Sequence, residues 1–440
     1  MKKTGLLFLL SLFCLFFAAC GSREEKKTVY YLNFKPEIAQ VYEKIARDYE
    51  EETGVRVKVV TAASNTYEQT LKSEIAKSEA PTIFQVNGPR GYAAWKNYCA
   101  DLSDSFLAKA LYDPALALTD GDKVVGIPYV VEGYGILCNG RIFDAYFALP
   151  DRQAEISSRE EIDSFADLKL ITEDMTLHAA ELGIDGVFAS TSLQSGEDWR
   201  WQSHLANVPF YYEWKEKGIS PTGKEIGEID FSHAENFRNL FDLYLTHSTT
   251  PARLLGSKQV ADSMAEFALG RCAMVQNGSW AYSQIASVKG NTVSPDDLFW
   301  LPLYTGEKGE EKQGLCIGTE NYLCINANVS EEKQKDSLAF LEWLFSSEKG
   351  KEYVKKELGF LTPFNTFGEE DTPEDPLVRE TAKWLSDPEK NNLEWVFTVF
   401  PGTAFKEAFG SALLRYAQSG IDWDGVKQTV VDSWKKEAAG

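Results

Sequence analysis

The chain is short of histidine, and that shortage removes much catalytic chemistry. His178, His204, His233 and His247 are the only four in 440 residues, and they are far apart. A zinc site is improbable on that inventory. No GxSxG, HExxH, P-loop or GxGxxG motif occurs, and "SSEK" at 346–349, which fits SxxK, lacks its companion motifs. Basic residues are also in deficit: 45 Lys and Arg against 66 Asp and Glu, a net charge of −21. Such a surface is ill suited to nucleic-acid phosphate or to lying flat on anionic lipid. Cysteine is scarce and never spaced as CxxC. After Cys14 and Cys20 come Cys99, Cys138, Cys272, Cys316 and Cys324, an odd number mostly in apolar settings, which reads as buried thiols. A Cys316–Cys324 bridge stays open in an oxidising compartment.

The chain also lacks an apolar run long enough to span a bilayer, which takes about 20 residues. The run Gly5 to Ala19 is shorter, follows Lys2 and Lys3, and ends in Ala18 and Ala19. A basic start, an apolar middle and small residues at the end describe a signal peptide over 1–19. "REEKK" then reads as a solvated tether over 20–27.

What is present is apolar patterning. Hydrophobic residues make up 44% and aromatics 13%, with eleven Trp, so the chain is globular and has aromatic side chains to spare for a binding site. Its length suggests two domains. "TVYYL" reads as a strand. Ile38, Val41, Tyr42, Ile45, Ala46 and Tyr49 recur at helical spacing up to Gly54. "VRVKVV" alternates as a second strand, Tyr67, Leu71 and Ile75 mark a helix, and "PTIFQV" is a third strand. Strand–helix alternation predicts an α/β fold with a parallel sheet. Beyond that, 161–301 reads as mostly helical with "GVFAS" as a strand, and 376–440 as helical.

The segment "AACGS" resembles the lipobox of bacterial lipoproteins, with Phe17 where that motif has Leu, and implies lipidation of Cys20. Six segments in order, from "VYYLNFKPEIAQVYEKIARDYEEETGVRVKV" through "PTIFQVNGPRGYAAW", "GIPYVVEGYGILCNGRIF", "MAEFALGRCAMVQNGSWAYSQI" and "LPLYTGEKGE" to "AFLEWLFSSEKGKEYV", resemble the extracellular solute-binding proteins of ABC importers in the maltose-binding-protein branch. The resemblance implies a type II periplasmic-binding-protein-like fold, two α/β lobes with a ligand cleft between them and a multi-segment hinge. It places crossings near Val131–Glu132, Leu301–Pro302 and Gly359–Phe360. Lobe one would be 28–131 plus 302–358, and lobe two 132–301 plus 359–440. It further implies a carbohydrate ligand, ABC permease partners, a monomer held to the membrane by lipid alone, no nucleic acid, no metal and no cofactor.

Site residues follow from strand ends and from that resemblance: Asn33, Phe34, Lys35, Asn87, Arg90, Glu132, Trp199, Trp280 and Phe405. Aromatic rings cover the C–H face of a sugar, and Asn, Glu and Arg bond its hydroxyls. Two other readings stay open. The same fold would take a polyamine, peptide or metal, or Glu132 and Glu197 would be a glycosidase pair.

Overall fold

The computed structural model describes residues 27–62, 66–220 and 226–438. The expected leader, Cys20 and all of the tether but Lys27 lie outside the described residues.

Two sheets organise the chain. Strands β1 (Thr28–Asn33), β2 (Arg56–Thr61), β3 (Ile83–Asn87), β4 (Leu118–Asp120), β5 (Lys123–Pro128) and β10 (Asn321–Ile325) form the first, in the order β2-β1-β3-β10-β5-β4. Strands β6 (Glu132–Asn139), β7 (Met274–Gly278), β9 (Gln313–Gly318) and β11 (Asn391–Glu394) form the second in the order β11-β9-β6-β7, with β8 (Leu298–Leu301) also paired to β6. The expected parallel start is present: Thr28 to Asn33 run in register with Arg56 to Thr61. Helix Ala39–Thr53 buries Tyr42, Ile45, Ala46 and Tyr49, the apolar face anticipated, and ends at Gly54 in the left-handed region. Tyr49 meets Phe340 and Trp343 of helix Glu331–Ser346 edge-on, at 5.1 and 5.2 Å, closing the core on one side of sheet one. The second lobe is richer in aromatics, with Trp201, Trp214, Phe237, Phe409 and Trp434 in one buried cluster.

Strand polarity positions the site. β1, β2 and β3 are parallel, and β10 is antiparallel to both β3 and β5. The carboxyl ends of β1, β2, β3 and β5 therefore share one edge of sheet one. β7 and β9 are antiparallel to β6, and β11 is parallel to β9, so these three end where β6 begins. Only Tyr129–Val131 separate the end of β5 from the start of β6, so the two edges face each other. Clefts beyond the carboxyl ends of α/β strands are the usual ligand sites of such folds.

Three details differ from the sequence reading. Residues 302–318 were expected in lobe one, yet β9 pairs with β6 and β11, so the chain crosses at 319–320 and not at Leu301–Pro302. The third crossing was expected at Gly359–Phe360. Leu361 does bridge to Val131 of the first crossing, but Phe360 and Phe364 then pack into the first lobe's core. Asp371 is fastened to Lys351 at 2.5 Å, and, apart from Leu361 touching its core, the chain enters the second lobe with helix Pro376–Ser386, whose Leu377 packs there. "GVFAS" is not a regular strand: Phe188 makes single bridges to Ser248 and Met274.

Candidate ligand cleft

Lys35 follows β1 and Glu132 opens β6. They are 6% and 4% exposed, and Lys35 Nζ donates to Glu132 Oε1 at 2.6 Å. Burial by itself would lower the Lys35 ammonium, but Glu132 and then Glu37, 3.9 Å away, outweigh it and hold the pKa above the usual lysine value. The ion pair ties the end of a lobe-one strand to the start of a lobe-two strand. Asn33 aims Lys35. Its Nδ2 donates to Lys35 O at 2.8 Å and to Thr61 Oγ1 at 3.1 Å, and its Oδ1 accepts from Lys35 N at 3.1 Å. Phe34 turns inward: its N–H donates to Gln85 Oε1 at 2.6 Å and its ring meets Tyr67 edge-on at 5.1 Å. Both shape the turn.

At the end of β3, Asn87 Nδ2 donates to Glu320 Oε1 at 3.1 Å, while its buried Oδ1 has no protein partner. Burial raises the Glu320 carboxyl against the pull of Lys406. Arg90 lies half-buried on the helix Gly88–Trp95 that follows. Gly88 has a φ of +59°, and a Cβ there would stand 2.8 Å from Thr398 Cβ of the other lobe. Glycine lets the two lobes meet at this point.

The second lobe supplies aromatic rings. Trp280 follows β7, and its ring folds back over Gly278, where any side chain would overlap it. Trp280 lies 6.1 Å from Trp199, 6.1 Å from Tyr134, 5.9 Å from His204 and 6.5 Å from Trp395, and Lys35 Nζ is 5.7 Å from its ring. Trp199 and Trp280 are half-buried. The expected pair of tryptophans therefore does come together, beside the Lys35–Glu132 pair. Phe405 does not join them. It is fully buried on helix Thr403–Ala417 among Phe400, Phe409 and Trp434, a core residue and not a cleft residue.

Tyr134, His204, Trp395, Glu320 and Lys406 escaped the sequence reading. Trp395 alone had a usable signal, an aromatic directly after the short strand "NNLE". Burial drives the His204 imidazole down to about 3, so it is a neutral ring among rings. Glu197, half of the alternative catalytic pair, accepts from Val260 N–H at 3.2 Å at the start of helix Val260–Ala268. Among the described residues no group of three or more His, Cys, Asp or Glu side chains could hold a metal ion. Nor is any helix among them long and apolar enough to cross a membrane. Cys316 lies in sheet two and Cys324 in sheet one, and both are free.

No curated protein matches the chain by sequence. Solved structures do match in fold. RafE in complex with raffinose has 19% identity over 93% of this chain and 99% of its own, with a TM-score of 0.70. A sugar transporter protein from Bacillus licheniformis in complex with stachyose has 15% identity over 93% and 99%, with a TM-score of 0.67. Maltose-bound MalE3 of T. maritima has 14% over 93% and 99%, with a TM-score of 0.68. Residues 44–380 match the model of the family described as bacterial extracellular solute-binding protein. That match runs through both lobes and every crossing between them, and the chain belongs to the bacterial extracellular solute-binding proteins.

Proposed function

We propose that the protein captures a carbohydrate, an oligosaccharide by preference, between its lobes and delivers it to an ABC permease without chemical change. The observation that carries this reading is the grouping of Trp199, Trp280, Tyr134 and Trp395 at the cleft edge of sheet two, opposite Lys35, Asn87 and Glu320. Rings on one side and hydrogen-bonding groups on the other match the apolar face and hydroxyl rim of a sugar. The sugar complexes among the structural relatives support it. Ligand holds the lobes together by binding the closed arrangement better than the open one. A cation is a poorer fit, because Lys35 already neutralises Glu132.

Cys20 carries the lipid that keeps the protein, a monomer, on the outer face of the membrane. Cys20→Ala should shed it into the medium. A variant still processed and membrane-bound refutes the anchor. For the ligand, a thermal-shift screen against mono- and oligosaccharides is the test, since a ligand raises apparent stability by RT ln(1 + [L]/Kd). Shifts with polyamines or peptides and with no saccharide would overturn the reading.

A further inference from the structure

Behind Trp199 the second lobe buries a cation that, among the described residues, no carboxylate is hydrogen-bonded to. Arg200 opens the π-helical turn Arg200–Leu205 and is 2% exposed. Its Nη1 donates to Ser192 Oγ at 3.2 Å and to Ser263 Oγ at 2.7 Å, both neutral. Its Nε and Nη2 have no acceptor among the described residues. The one carboxylate that acts on its charge, Glu197, does so from a distance, while its Oε2 accepts the Val260 N–H. The contrast with Lys35, which has a carboxylate at 2.6 Å, is direct. A buried guanidinium left with free donors is costly, and proteins keep one where something anionic completes it.

The groups around Arg200 have the same bias. Tyr134 and Tyr244 are close enough to act on its charge, and both hydroxyls are buried without partners. Ser190 Oγ and Thr191 Oγ1, just before Ser192 in the chain, and the Gln276 amide are also unpartnered among the described residues. Gln276 stands two residues before Gly278 on β7, opposite Ile136 as Gly278 is opposite Tyr134, and so shares the Tyr134 face of the sheet. Every one of these groups is able to donate, and the one buried carboxylate beside them, Glu266, is held by the Ser190 N–H, the Thr249 hydroxyl and Lys258. Trp199 joins this cluster to the cleft. Its ring centre is 5.3 Å from the guanidinium carbon and 6.1 Å from Trp280.

We propose that Arg200 receives the carboxylate of an acidic saccharide whose ring rests on Trp280 and Trp199, so that the ligand is a uronic-acid sugar. A carboxylate accepts two parallel N–H bonds from one guanidinium, here from Nε and Nη2. The tyrosine hydroxyls and the Gln276 amide take the remaining lone pairs. This rests on the carbohydrate reading above.

Calorimetry on the whole protein tests it, with galacturonate and glucuronate oligomers beside their neutral galactose and glucose counterparts, in chloride-free buffer. One uronide should bind about 10- to 100-fold tighter than its neutral counterpart, and Arg200→Gln should erase the difference. Ligand-free Arg200→Gln should melt no lower than the parent, since no ion pair is lost. If it does not fold, the comparison on the parent protein still decides. Equal binding of both members of every pair, or binding of neutral sugars alone, overturns the uronate assignment and leaves the carbohydrate reading standing. No binding by any saccharide takes both down. Melting raised by chloride in the parent but not in Arg200→Gln, with no preference for uronides, assigns the site to a free anion and likewise overturns the proposal.

Discussion

Replacing Lys35 with Met leaves the Glu132 carboxylate in place at 4% exposure, with its partner at 2.6 Å gone. Removing one member of a buried pair costs about 3–5 kcal/mol, because the other charge stays desolvated. The upper half of that range is the better estimate here, since Glu37 loses the same ammonium at 3.9 Å. At about 2.1 cal/mol/K of unfolding entropy per residue, a chain of this length shifts by about 1 °C per kcal/mol, so the melting temperature should fall by roughly 5 °C. The double variant Lys35→Met/Glu132→Met removes both charges and keeps the volume, so it should recover to within about 1 kcal/mol of the parent. Glu37, whose carboxyl is already raised by burial, can then take up a proton. The measurement is a double-mutant cycle by urea and thermal unfolding of the ligand-free protein. A single variant costing under about 1 kcal/mol would class the pair with exposed ones. A double variant as unstable as the sum of the singles would refute the reasoning outright.

Trp280→Ala should weaken ligand binding by about 2 kcal/mol, roughly 30-fold in Kd. Because the ring is half-buried, stability should drop by less than the about 3–5 kcal/mol of a core tryptophan; unchanged affinity with collapsed melting would return Trp280 to the core. Gly88→Ala pushes a methyl into Thr398 and strains a φ of +59°, so the lobes should meet less closely. Solution scattering should then show less ligand-induced compaction than in the parent, and full compaction with full affinity would refute the contact. His204 has a folded pKa of about 3 against the usual 6.5, so between those values the unfolded chain binds a proton that the folded one does not. Stability should therefore fall as pH drops through that window, by up to about 1.4 kcal/mol per unit. His204→Phe should remove that slope, and identical pH profiles for the two proteins would show that another group causes it.

The parts of the fold legible in the sequence were the local ones. Helix Ala39–Thr53 shows its buried face in the spacing Tyr42, Ile45, Ala46, Tyr49, and β1 to β3 alternate with helices as strands of a parallel sheet do. Lobe membership was harder, because glycine and proline mark turns and say nothing about which sheet receives the next strand. "GLCIG" and "NYLCI" look like one hairpin, yet β9 and β10 enter different sheets. Trp280 was singled out by the family resemblance and by the polar, glycine-bearing setting of "QNGSWAY", while its ring folding back over Gly278 is visible only in three dimensions. Phe405 was placed in the cleft by the family resemblance alone, and the helical spacing of the tail does not say which helix face is buried; it lies on the inner face of helix Thr403–Ala417. Arg200 gave no signal, since burial without a hydrogen-bonded carboxylate is a property of three-dimensional packing alone.

Strand β10 sits inside sheet one, with β3 on one side and β5 on the other. It comes last of the six strands, after the whole of 132–318 has been made. Until it arrives, β3 and β5 each present an unpaired edge, and the first 130 residues cannot close their own sheet. The second lobe is not complete by then either, because β11 and the helices that carry Phe409 and Trp434 into its core come later still. Neither lobe can finish until the carboxyl-terminal segment has left the ribosome. Such long-range pairing makes for slow folding and a long-lived sticky intermediate. A fragment ending before residue 321 should accordingly aggregate where the entire chain folds, so the two lobes are separate bodies in shape but a single unit in assembly.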